Sequence, residues 1–229
     1  MIFNQKAPVS WIKASDLPIG SIVHLMESGN AVEYRVVNQG IPADSSMYDA
    51  SCNGCWLLRK DCLSSEMQWN DSLKNNYATS YINSYLNSTF LNLFDSNTQE
   101  IIKQIKIPYQ SGSSMSQITC KAFLVCSYEV GFTESDDVYG SVDGAKLSYF
   151  DIGSSDSAKE KRVSKMGGSA EIWWLRSRQT SNSKYVHVVW NDGDLATQYA
   201  NSAYGVRPAL ILPSDAKFDA DTMLLKGVA

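Results

Sequence analysis

The stretch YVHVVWNDGDLATQY, residues 185–199, constrains this chain more than any other: two apolar flanks are joined through Asn191-Asp192-Gly193. Asp-Gly between alternating apolar residues supplies the positive φ that a tight connection between two strands needs, so the run reads as a β-hairpin. It brings Tyr185, His187, Trp190 and Tyr199 close together. Period two puts Tyr185, His187 and Val189 on one face, and Val186, Val188 and Trp190 on the other. The alternation does not say which face is wet. Three readings compete: core packing, a metal-dependent sugar site, or a protein-binding surface.

The rest of the chain narrows the choice. At 229 residues and 44% hydrophobic composition, a single domain with one sizeable core is expected over 1–229. A net charge of −4 argues against a nucleic-acid surface, which needs a dense Lys/Arg patch. The basic cluster Lys159, Lys161, Arg162 and Lys165 sits among serines and glycines and reads as a solvated loop. No apolar run approaches the roughly 20 residues of a membrane-crossing helix, so no membrane insertion is expected. The opening MIFNQKAPVS lacks the basic-then-apolar pattern of a signal peptide. The five cysteines are odd in number, and only Cys52 and Cys55 have metal-ligand spacing, with Cys62 further on. Half a zinc site predicts reduced thiols, with neither metal nor cofactor.

Elements follow from the pattern. SIVHLM and AVEYRVV flank Ser28-Gly29-Asn30, and with CWLLRKDCL they predict an antiparallel meander in the first third. SYINSYLNSTFLNLF has Ile82, Tyr85 and Leu86 at helical spacing. A second helix is expected from Ser96, with Gln99 completing a capping box, Ile101, Ile102 and Ile105 as its stripe, and Pro108 just beyond its end. KAFLVCSYEV, 121–130, reads as a buried strand. Residues 131–170 are rich in Ser, Gly and Asp and read as a loop-rich insertion. EIWWLRS, the hairpin, and YGVRPALIL close the chain. Arg176 and Arg207 lie in apolar strands, where a buried guanidinium needs carbonyl or carboxylate partners and pins loops to a core.

WWLRS (173–177), the Asp-Gly hairpin and GVRPAL (205–210), together with SYINSYLNSTF (80–90), KAFLVCSYE (121–129) and VEYRVV, resemble a family of uncharacterised bacterial and phage proteins. The resemblance covers roughly Ile19 to Leu212. It implies an α+β, C-type-lectin-like fold, with antiparallel sheets, two helices and extensive irregular loops. That broad group includes formylglycine-generating enzymes and the variable proteins of diversity-generating retroelements. In the latter, adenines at the 3′ end of the gene are rewritten, and the altered side chains are displayed on a fixed scaffold at a phage tail tip or a cell surface. Residues 178–204 would be the variable, ligand-binding segment.

Against this background the metal-dependent sugar reading and an enzymatic one both weaken. Trp190-Asn191-Asp192 matches a calcium-ligating tripeptide of calcium-dependent lectins, but calcium wants six to eight oxygens. The companion Glu-Pro-Asn or Gln-Pro-Asp tripeptide is absent, and an Asp-Gly turn uses the same letters. A formylglycine-generating activity would need a late cysteine pair, and none follows Cys126. No Gly-x-Ser-x-Gly elbow supplies a serine nucleophile either, so the chain is expected not to be an enzyme.

Tyr and Trp offer rigid contact area while Ser, Asn and Gly adapt their hydrogen bonds, the mixture that antibody loops converge on. The candidate ligand-binding residues are Arg178, Thr180, Asn182, Tyr185, His187, Trp190, Asn191, Asp194, Tyr199, Asn201 and Tyr204, with Trp190 and Tyr199 as hot spots. The expected partner is a protein or glycan on a cell surface. The competing expectation is a fixed-sequence bacterial carbohydrate-binding or structural module.

Overall fold

The computed structural model describes residues 10–43, 46–136 and 140–228. The elements that position the site are, in chain order, β1 (Ile22–Glu27), β2 (Asn30–Gln39), β3 (Cys55–Arg59), α1 (Tyr81–Tyr85), α2 (Ser96–Ile101), β4 (Ile105–Ser111), β5 (Ser114–Cys120), β6 (Ala122–Phe123), α3 (Asp156–Arg162), β7 (Trp173–Arg178), β8 (Tyr185–Val189), β9 (Leu195–Tyr199) and β10 (Ala209–Leu212). The architecture is mixed α+β, mostly antiparallel sheets with a few short helices.

The meander forms as expected. β1 and β2 join through Ser28 and Gly29, both at positive φ (48° and 84°), the backbone twist that favours a two-residue hairpin turn. β3 follows β2, and the sheet continues in the antiparallel order β1-β2-β3-β10-β6. Its central strands are buried on both faces. Cys55, Leu57, Leu210 and Leu212 point into one core, and Trp56, Leu58, Ala209 and Ile211 into another. Two-sided burial is why CWLL and ALIL are continuous apolar runs rather than alternating ones.

A second sheet, β7-β8-β9, carries the hairpin and feeds the same two cores. Trp174, Val186 and Val188 enter the first; Trp173, Leu175 and Val189 enter the second. α1 and the helical turns after it fill the first core with Ile82, Leu86 and Phe90.

Several expectations need correction. α2 starts at Ser96, but its cap is Asp95, whose carboxylate accepts from Thr98 N at 2.9 Å, while Gln99 reaches back to Phe94 O. Ile105 belongs to β4 rather than to the helix, and Pro108 lies inside that strand. β4 pairs only with β5, so a missing N–H on its open edge costs no ladder bond. KAFLVCSYEV is buried, but only Ala122–Phe123 is strand, because beyond it side chains replace the ladder: the Tyr77 hydroxyl accepts from Leu124 N, Glu129 from Cys126 N and Ser177 from Ser127 N.

The stretch 131–170 is not all loop. It contains α3, capped by Ser155, and a small hairpin of Ser164–Met166 with Ser169–Glu171, so a third helix joins the expected two. Leu147 and Phe150 anchor the stretch in the second core. The basic cluster therefore does not lie on a solvated loop. Arg162 is fully buried and donates to the Gly193, Val130 and Gly153 carbonyls. Of the expected 1–229 domain, residues 1–9, 44–45, 137–139 and 229 lie outside the described residues. No helix among the described residues is long and apolar enough to cross a membrane.

Candidate functional site

The hairpin pairs Tyr185 with Tyr199, His187 with Thr197 and Val189 with Leu195. Trp190 N donates to Asp194 O at 2.7 Å and Gly193 N to Trp190 O at 2.9 Å, so Asn191-Asp192-Gly193 is the loop, with Gly193 at φ 91°. That is a turn followed by a left-handed residue, the common three-residue connection. At about 3.3 Å per residue, Tyr185 and Val189 lie roughly 13 Å apart. The candidate residues thus divide between two ends of the sheet rather than forming one patch.

At the open end, the Tyr185 and Tyr199 rings stack with centroids 4.4 Å apart and planes 29° from parallel. Tyr199 is 44% exposed. The neighbouring Tyr199 phenol pushes the Tyr185 phenol above its usual range. Thr180 and Asn201 are exposed beside this pair in the chain, and Arg178 and Asn182 are half-buried. The loop 178–184 is held from beneath by buried Asn75, whose Nδ2 donates to the carbonyls of Gln179 (3.0 Å), Asn182 (3.1 Å) and Tyr185 (2.8 Å). Asn182 Oδ1 accepts from Lys184 N, closing the loop locally. Asn201 is tied through its carbonyl to Gln68 Nε2, which leaves its side chain to solvent.

The turn end is committed to the fold. Asp194 pairs with Lys159 of α3 at 2.6 Å and raises the lysine's pKa. Gly193 is buried so closely against α3 that an added Cβ would collide with the Lys159 carbonyl. Asn191 is exposed, whereas half-buried Trp190 packs on the first core. Asp192 Oδ1 accepts from Asp194 N, the bond a turn-forming aspartate makes. Tyr204, in a strand paired with Met67–Gln68, packs edge-on against Trp174 with centroids 5.2 Å apart.

His187 is the clearest correction. It is 1% exposed, because β8 is the middle strand of its sheet and is covered on both faces. Its ring therefore offers almost no surface to a ligand. The signal was in YVHVV, whose near-continuous apolar character marks two-sided burial.

Beneath the hairpin sheet, Arg176 of β7 spends all five donors. It holds both carboxylate oxygens of Glu129 and the carbonyls of Pro108, Leu124 and Asp143. The Glu129 carboxylate also accepts from the Tyr48 hydroxyl at 2.8 Å. Arg207 likewise pins carbonyls, those of Arg59 and Arg162. Both arginines therefore serve as the pins that their apolar surroundings predicted.

The five cysteines are free and buried, and burial lifts Cys52 and Cys62 to about 11 and Cys55 and Cys120 to about 12. Thiols held that high are poor nucleophiles at neutral pH. Among the described residues no group of three or more His, Cys, Asp or Glu side chains is placed to hold a metal ion. A basic cavity beside α3, which includes Arg35, Lys60 and Arg207, has no counterpart in the sequence reading, since its cations come from distant segments.

The fold defines a mixed α+β protein whose C-terminal hairpin sheet is built into the core. Residues 53–214 match the family model described as Domain of unknown function (DUF6273), and the chain belongs to that family. The match spans the hairpin and both arginine pins. No curated protein and no solved structure matches the chain.

Proposed function

We propose that this chain is a non-catalytic recognition module that binds a protein or glycan on a cell surface through the open end of its hairpin sheet. The observation that carries the reading is the exposed Tyr199 ring stacked on half-buried Tyr185, next to a loop whose carbonyls Asn75 holds in place. Rigid aromatic area and a preorganised loop lower the entropy lost on binding. In this reading the scaffold is C-type-lectin-like, and Arg178, Thr180, Asn182, Tyr185, Tyr199 and Asn201 form the contact surface. Asn191 is a peripheral contact at the far end. Trp190, Asp194 and Tyr204 support the sheet.

The reading includes diversification of 178–204 by a retroelement. A flat tyrosine pair is also what a fixed-sequence carbohydrate-binding module would offer a sugar face, so the two readings share a surface and differ in its variability.

The direct test is binding of the fluorescently labelled chain to a panel of bacterial cells. Protease or periodate treatment of the cells separates protein from glycan targets. Selective binding is expected, and Tyr199→Ala should abolish it at an unchanged melting temperature. Binding to no cell type, or binding indifferent to Tyr199→Ala, would refute the surface.

A further inference from the structure

A cavity of about 400 Å³ lies beside α3, away from the tyrosine pair, and its lining is basic although the chain carries a net charge of −4. Among the described residues lining it, Arg35, Lys60, Lys161, Lys165 and Arg207 face two carboxylates, Asp61 and Glu160. Two of the cations are neutralised from outside the cavity: Lys60 by Glu33 at 2.6 Å and Lys161 by Asp151 at 2.8 Å. Arg35, Lys165 and Arg207 have no carboxylate at ion-pair distance among the described residues.

Arg207 is the unusual member. It is 2% exposed and stacks on Trp173 at 4.9 Å. Its Nε and Nη1 are bonded to backbone carbonyls, while Nη2 has no acceptor among the described residues. Burial, with Arg35 nearby, pushes its pKa down to about 10, still charged at neutral pH. A buried guanidinium held without a counter-charge is costly, and an anion in the cavity would remove that cost. The Tyr149 ring also lines the cavity, with the Arg35 guanidinium over it at 4.8 Å and the Lys161 ammonium over it at 5.4 Å, giving the cavity one aromatic wall.

We propose that this cavity is a binding site for a phosphate monoester, with Arg207 at its floor, Arg35 and Lys165 on its sides, and the organic part of the ligand against Tyr149. Arg35 also donates to the Gly20 carbonyl at 2.9 Å, but three cations without a carboxylate partner favour a group carrying close to two negative charges over a single carboxylate. The cavity is also larger than a bare oxyanion needs and falls within the size range of small-ligand sites.

The test is calorimetric titration of the full chain with inorganic phosphate, phenyl phosphate and acetate, against chloride at matched ionic strength. One-site binding is expected, with phosphate about tenfold tighter than acetate and phenyl phosphate tighter still. Lys165→Glu, at an exposed position, should weaken phosphate binding about fivefold or more without changing the melting temperature. Arg207→Lys keeps the charge but loses the planar fork, and should reduce binding further; circular dichroism checks its fold, and if it unfolds Lys165→Glu decides alone. Phosphate binding no tighter than chloride, acetate binding equal to phosphate, or indifference to Lys165→Glu would each overturn the site.

Discussion

The two ends of one hairpin have opposite fates. At the turn end, Asp194 is paired with Lys159, Gly193 is pressed against α3, and Trp190 leans on the core. At the open end, half-buried Tyr185 stacks on exposed Tyr199, next to a loop whose carbonyls are fixed by Asn75. Aromatic and polar composition is similar at both ends. What separates them is α3, which comes from a distant part of the chain and covers only one of them.

The comparison rests on a shared frame, and breaking that frame has the largest effect. Glu129→Ala would leave Arg176 buried without its carboxylate, costing roughly 3–5 kcal/mol in denaturant unfolding. Both ends of the hairpin should then loosen together. Gly193→Ala attacks the turn end alone, since φ 91° and the Lys159 carbonyl both oppose a Cβ. A loss of about 1–3 kcal/mol is expected, with the Tyr185–Tyr199 end still protected in hydrogen exchange.

Asn75→Ala attacks the open end instead. It removes the donor to three carbonyls, with an expected cost of about 1–2 kcal/mol and faster exchange confined to 178–185. Next in size is a pH effect in the frame. Burial raises the Asp143 carboxyl above its ordinary value, against the opposing influences of Arg176, Ser177 and Cys126. The neutral acid is therefore favoured in the fold. Its contribution is complete below the unfolded pKa of about 3.9 and is lost as pH rises through the higher folded value. Asp143→Asn should flatten that segment of the stability–pH curve. Tyr199→Ala should change the melting temperature least of the five, because the ring is 44% exposed. A melting drop as large as that of Asn75→Ala would make Tyr199 a structural residue and erase the contrast between the ends.

Much of the fold was legible in the sequence wherever one chain segment carried its own signal. Ser28-Gly29 and Asp192-Gly193 mark turns through backbone conformation, and YINSYL marks a helix through spacing. The pins Arg176 and Arg207 were legible because a guanidinium among apolar residues must find acceptors. Which acceptors it finds depends on segments tens of residues away, such as Glu129 and Pro108.

Failures came where tertiary contacts override local pattern. KAFLVCSYEV is apolar like a strand, yet Tyr77, Glu129 and Ser177 take the backbone bonds a neighbouring strand would have made. Lys159–Lys165 reads as solvated by composition, yet Arg162 is inside. His187 was placed on a binding face because parity names two faces and the sequence does not say that both are covered.

Sequencing of this gene's 3′ end across a natural population would show whether the open end of the hairpin is a diversified surface. Substitutions are expected at adenine-containing codons for exposed positions of the open end, such as Thr180, Ser183, Lys184, Tyr199 and Asn201, with a near-copy of the segment in the flanking DNA. None are expected at buried Val186, His187, Val188, Val189 or Gly193. Changes spread evenly through 178–204, buried positions included, or a uniform 3′ end with no such copy, would contradict a diversified surface at this end of the hairpin.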